Sequence, residues 1–185
     1  MRYLDPDGRI QVSSDGSYLF YVEKDSLGNP ITIHIQGNSG KSIEIIEGYI
    51  LANDGTKINV FYNLSRETAP EDNYDCHGYT FSKGTFWINN QEVEKILIGD
   101  GYQKTTTPQK GDILVQRNKD GEIYHSARII EVDEEGNRVK VKEAMGSHLF
   151  TDKDGNKYKL RVHWYELDNT RDTVYSAVQN KVGEL

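Results

Sequence analysis

Apolar and polar positions alternate in short runs over the first sixty or so residues, and the runs are separated by residues that favour turns. Tyr18-Leu-Phe-Tyr-Val22, Ile31-Thr-Ile-His-Ile35, Ile43 to Leu51 and Lys57 to Tyr62 each have the length and β-branched or aromatic content of a strand. Between them lie Leu27-Gly-Asn-Pro30, Gly37-Asn-Ser-Gly40 and Asn53-Asp54-Gly55, the last of these a strong hairpin signal. The pattern predicts a β-hairpin-rich module over residues 1–64, with the polar stretch from Ser65 to Asp72 as a linker and a second unit over 73–185.

In the second unit the period changes and then changes back. Asn90 to Ile98 reads as a short helix with Val93, Ile96 and Leu97 on its inner face, Asn90 as cap and Gly99 at its end. From Gly111 the period of two returns. Gly111-Asp-Ile-Leu-Val-Gln-Arg117 is a strand, and Asn118-Lys119-Asp120-Gly121 is a turn. Glu122 to Ile130 is a second strand, Glu134-Glu135-Gly136-Asn137 a second turn, and Arg138 to Glu143 a third strand. Asp152-Lys-Asp154-Gly-Asn156 lacks the distal glutamate of a calcium loop and reads as a hairpin turn before a strand over Lys157 to Leu167, in which His163 is a sheet residue.

Two polar residues interrupt apolar faces in this part of the chain. Alternation puts His125, Ala127 and Ile129 on one face of their strand, and Val139, Val141 and Glu143 on one face of the next, with Lys140 and Lys142 turned to solvent. Burying a carboxylate is costly unless it is paired, so Glu143 needs a partner, and His125 on the neighbouring strand is the candidate. Cys76, the single cysteine, falls in Asn73-Tyr-Asp-Cys-His-Gly-Tyr-Thr-Phe81, where β pattern gives way to helix. Asn73 and Asp75 are good helix caps, and the first-turn N–H groups and macrodipole would stabilise a thiolate one position inside the cap. Gly78 would let a substrate or a neighbouring strand approach the helix start. A nucleophile and a buried structural cysteine both fit this segment.

The motifs resemble those of a known superfamily. Asp75-Cys76-His77-Gly78 resembles the Asp-Cys-Ser-Gly start of NlpC-type cell-wall peptidases, and Gly111-Asp112 the Gly-Asp that introduces their first core strand. His125-Ser-Ala-Arg-Ile-Ile130 resembles the histidine strand of the related CHAP amidase/peptidases, and Val139 to Glu143 is similar to their strand that ends in the third catalytic residue. The resemblance covers about residues 70–165. It implies an α+β, papain-like fold: an antiparallel sheet with a nucleophile-bearing helix, preceded by the β-hairpin module. It also implies a cysteine peptidase or amidase without cofactor or metal, with Cys76 as nucleophile, His125 as base and Glu143 as orienting residue. His77 stands where these enzymes favour serine, and His148 competes with Glu143 for the third role. His77, Gly78, Tyr79 and Trp87 are candidates to line the substrate cleft, although Phe86 and Trp87 also fit a core.

Composition narrows the class. With 22 Lys+Arg against 29 Asp+Glu, the net charge of −7 argues against nucleic-acid or anionic-membrane binding, and no apolar run reaches membrane-span length. One cysteine excludes an internal disulfide framework. A zinc site from Cys76, His77, His125 and His148 is poorly spaced, because adjacent residues do not easily turn both side chains to one ion. Arg2-Tyr-Leu-Asp-Pro-Asp-Gly-Arg9 resembles the signature that closes the core of Rhs-type repeat proteins, and equally reads as a plain turn. The Rhs resemblance implies a bacterial toxin domain, delivered as the C-terminal part of a larger secreted protein and met by an immunity protein. The expected substrate is then a peptide or peptidoglycan-like amide, or a protein target. The alternatives are an acyl-transferase or deamidase on the same chemistry, and a non-catalytic binding or surface-interaction module.

Overall fold

A computed structural model describes residues 9–11, 18–37, 39–65, 70–146 and 149–177. The described chain runs β1 (Arg9–Gln11), β2 (Leu19–Val22), β3 (Thr32–Gln36), β4 (Ser42–Leu51), β5 (Lys57–Asn63), a 3-10 turn (Pro70–Asp72), α1 (Cys76–Ser82) and α2 (Asn90–Gly99). It continues with β6 (Gln103–Thr105), β7 (Ile113–Arg117), β8 (Ile123–Val132), β9 (Arg138–Ala144), β10 (Phe150–Thr151), β11 (Lys157–Tyr158), β12 (Leu160–Glu166) and β13 (Asp172–Ser176).

This is a β-rich fold, 46% strand and 12% helix, and it corrects the expected papain-like α+β architecture. The physical reason is visible in α1, which at seven residues is barely two turns long and is closed by Lys83 in the left-handed region at φ 53°. Such a helix fills space between sheets and does not build a helical subdomain around itself.

Two antiparallel sheets enclose the two helices. In the first, β4 pairs with β5 from Ile45↔Asn63 to Leu51↔Lys57, and on its other edge with β3 and then β2, to which β1 is added. The turn at Asn53-Asp54-Gly55 closes the β4–β5 hairpin, with Asp54 Oδ1 accepting from the Thr56 N–H. Gly48 is required where β4 passes β2, because a Cβ there would collide with the Phe20 ring and the Tyr21 carbonyl. The inner face of this sheet supplies Phe20, Ile46, Ala52, Ile58, Val60 and Tyr62 to a core completed by Phe86, Ile88 and Ile96 from the helical layer.

The second sheet has the order β12-β9-β8-β7-β13-β6. Val93 and Leu97 of α2 pack on its Ile113, Val115, Ile123 and Tyr175, while Leu114, Ala127, Ile129, Val139, Val141 and Val174 form a separate cluster on the other face. That other face is concave: Gln116 on β7 donates to Tyr165 Oη on β12 at 3.0 Å, three strands away in the order. Within α2 the expected cap is shifted by one. Asn89 occupies the N-cap without a side-chain bond, and Asn90 turns its Oδ1 to His77 instead. Gly99 is the last helical residue, and a Cβ there would press on Ala52 and Asp54 of the first hairpin.

The stretch expected as a linker is firmly attached at its end. Asp72 is fully buried and accepts from the Ser39 N–H at 2.9 Å, its carbonyl takes the Trp87 Nε1–H at 2.9 Å, and Trp87 pairs by backbone with Phe61. The Arg2 to Arg9 motif lies outside the described residues except for the backbone of Arg9, and His148 lies outside them altogether. No helix among the described residues is long and apolar enough to cross a membrane.

Candidate active site

Asp75 sets the start of α1. Its Oδ1 accepts from the Gly78 N–H at 2.6 Å, and both carboxylate oxygens sit 3.2 Å from the Ile88 N–H, so one side chain caps the helix and anchors the chain behind it. Burial pushes its carboxyl up to about 6, against the lowering effect of those N–H groups and of Lys159. Gly78 is required here, since a Cβ would run into the Phe86 carbonyl oxygen. The close neighbour at Gly78 is therefore the protein's own chain, and Gly78 is buried and does not line a cleft.

Cys76 follows the cap and is 5% exposed. Burial pushes its thiol up to about 12, the Asp75 carboxylate adds to the rise, and N–H groups of Ser126 and His77 act in the opposite direction. This reverses the expectation that the helix start would favour the thiolate, because a two-turn helix offers little dipole and the second sheet and Asp75 close over the sulfur.

His77 is 1% exposed and does not open to solvent, which corrects its assignment to the cleft. Its Nε2–H donates to Asn90 Oδ1 at 2.9 Å, leaving Nδ1 to accept from the Ser126 hydroxyl at 2.7 Å. Burial lowers its pKa to about 4. The residue is a neutral strut joining α1, α2 and β8. Of the four residues assigned to a cleft, Tyr79 and Trp87 remain half-buried.

On β8 the pairs Val115↔Ser126 and Gln116↔His125 put Ser126 on the helix side and His125 on the concave side with Ala127. His125 Nε2–H donates to Glu143 Oε2 at 2.6 Å. The other oxygen, Oε1, accepts from His163 Nε2 at 2.7 Å, Arg161 Nε at 3.1 Å and Arg161 Nη2. Burial would raise the Glu143 carboxyl, but the bonds from His125, Arg161 and His163 and the charge of His125 outweigh it and hold it at about 2. No hydrogen bond joins Cys76 to His125 among the described residues. The Ser126 N–H, on the strand against which α1 packs, is among the groups that act on the thiol.

Lys159, Arg161 and His163 are the site residues that sequence reasoning missed as such. Lys159 is 8% exposed, donates to the Gly146 carbonyl at 2.7 Å, and lies 5.4 Å from the centroids of both the Tyr74 and Trp87 rings. Burial lowers its pKa to about 8, while Asp75, Cys76, Asp72 and Glu71 oppose that fall. Among the described residues no group of three His, Cys, Asp or Glu side chains is arranged to hold a metal ion. A groove of about 460 Å³ between the start of α2 and the β7–β8 turn is lined by Asn90, Arg117, Ile123 and Tyr124, and reaches none of Cys76, His125 and Glu143. No family model matches the chain, and neither a curated protein nor a solved structure is significantly similar to it.

Proposed function

We propose that the chain is a cysteine-nucleophile hydrolase that cleaves a peptide or amide bond through a thioester. The observation that carries this reading is the arrangement near the start of β8. His125 gives Nε2–H to Glu143 and keeps the Nδ1 lone pair without a partner among the described residues, on the strand against which α1, the helix that begins at Cys76, packs. A carboxylate on one ring nitrogen fixes the tautomer and makes the other a base.

In the reaction, His125 Nδ1 takes the thiol proton as Sγ bonds to the substrate carbonyl carbon. The C–N bond then breaks, and the leaving nitrogen takes that proton from His125. Water, deprotonated by the same imidazole, adds to the thioester and releases the acid with return of the proton to sulfur. Because burial holds the resting thiol far above neutral pH, the proton leaves during attack and not before it. The Cys76 N–H, which the Asp75 cap does not use, is the donor available for the oxyanion. The NlpC-like and CHAP-like motifs favour a cell-wall peptide as substrate. A protein target, with an immunity protein as partner, follows if residues 2–9 mark a delivered domain, and transfer or deamidation would use the same thioester.

A second reading, a non-catalytic binding module, is favoured by one observation, the near-complete burial of a thiol pushed up to about 12. Alkylation of Cys76 by iodoacetamide at pH 7 separates the two. The hydrolase reading expects the wild type to react at least about 100-fold faster than a folded His125→Ala variant. Equal rates would leave the binding module.

A further inference from the structure

We propose that the Lys159 ammonium is the binding site for a carboxylate of the substrate, so that the compound attacked by Cys76 is an anionic acyl donor. This rests on the cysteine-nucleophile reading.

An ammonium has three N–H donors, and only one of those on Lys159 has an acceptor among the described residues, the Gly146 carbonyl. The side chain is nine-tenths buried between the Tyr74 and Trp87 rings, so bulk water does not readily serve the other two. Buried cations are ordinarily paired with a carboxylate, and no carboxylate lies within salt-bridge distance of Lys159 among the described residues. Its acidic neighbours are engaged elsewhere. Asp72 is bonded to the Ser39 N–H and hydroxyl, and Asp75 to the N–H groups of Gly78 and Ile88.

Two aromatic walls and a carbonyl hold the ammonium in place without neutralising it, which leaves a fixed positive charge and directed donors for an incoming anion. The site adjoins the proposed nucleophile, since Tyr74 precedes the Asp75-Cys76 cap and the charge of Lys159 acts on both residues. In a chain of net charge −7 such a point of positive potential selects for anionic ligands against the overall field. The lowered pKa of Lys159 accords with a buried ammonium lacking a contact counter-ion.

Iodoacetate and iodoacetamide are nearly the same size, consume the same thiolate and differ in charge. The ratio of their rates with Cys76, divided by the ratio for glutathione in the same buffer, therefore reports anion recognition independently of thiol ionisation. The expected normalised ratio is at least about 10 for the wild type, falling to about 1 in Lys159→Met and partly kept in Lys159→Arg. A wild-type ratio near 1 overturns the proposal without any variant, and so does a ratio unchanged in Lys159→Met. A thiol that neither reagent reaches overturns it too, because a carboxylate on Lys159 must lie within reach of Sγ. If Lys159→Met slows both reagents equally, Lys159 is a counter-charge to the thiolate and not a substrate site. His125→Ala slows both reagents and keeps the ratio, so failure of the catalytic reading is seen separately.

Discussion

The β4–β5 and β8–β9 hairpins are similar in build and opposite in content. In the first, an unbroken register of seven pairs carries Ile46, Ile58 and Val60 into the core, and among the described residues its one buried polar side chain is Asn63 at the strand end. In the second, the β8–β9 ladder is shifted between Ile129 and Glu131, the β7–β8 ladder beside it is shifted between Gln116 and Arg117, and Ser126 and Glu143 are buried within the hairpin. Regular pairing suits a face that has only to exclude water. The irregular ladder re-aims side chains near the start of β8, so that Ile123 packs under α2 while His125, two residues on, turns to Glu143.

Damage to the two hairpins should therefore have different consequences. The largest loss of stability is expected for Ile58→Ala in the first hairpin, about 3 kcal/mol from lost burial and a residual cavity. Urea unfolding would measure it, and the alkylation rate of Cys76 in the folded variant should stay within about twofold of wild type. A large change in that rate would mean that the first hairpin also controls the thiol.

Glu143→Gln should cost less stability, about 2 kcal/mol, and lower the iodoacetamide rate about tenfold, because an amide holds His125 less firmly. It should also change the acid limb. A carboxylate held at about 2 in the fold against an ordinary 4.5 contributes stability that is complete above about 4.5 and is lost as pH falls toward 2. Stability measured across that window should fall more steeply in the wild type than in the variant. Parallel curves would show that the carboxylate is not held as described.

The smallest effect is expected at Asp75, and with the opposite sign. Its folded carboxyl, pushed up to about 6 from an ordinary 3.8, binds a proton more tightly than in the unfolded chain, so ionisation removes stability as pH rises between those values. The stability of Asp75→Asn relative to wild type should therefore improve steadily as pH rises from 4 to 7. A difference independent of pH would mean that the cap titrates normally.

What the sequence revealed was local. The Asn53-Asp54-Gly55 turn, the alternation of Ile43 to Leu51 and the placement of His125 and Glu143 on matching faces all follow from a few adjacent residues. The convergence of Arg161 and His163 on Glu143 depends on the register of β12 against β9, with Arg161 opposite Glu143, and no short motif specifies that register. The pairing of β13 with β7 joins residues nearly sixty apart and is equally silent. The state of Cys76 differs from its expected one for a related reason. Its cap was legible, but the desolvation that governs the sulfur comes from distant segments that close over it. The helical content was overestimated because the family motifs imply a larger helix than Cys76 to Ser82 supplies.

The two backbone hydrogen bonds between Phe61 and Trp87 bear on how the molecule can be divided. They stitch the edge of the first sheet to the loop behind α1, directly beside Phe86 and Ile88, which fill the first sheet's core. A cut between residues 65 and 72 would leave those side chains and Ile96 facing water where Val60 and Tyr62 had been. The two segments are thus co-dependent parts of one folding unit, and a fragment beginning near Asn73 would be expected to aggregate or bind the missing strands in trans, not to stand alone.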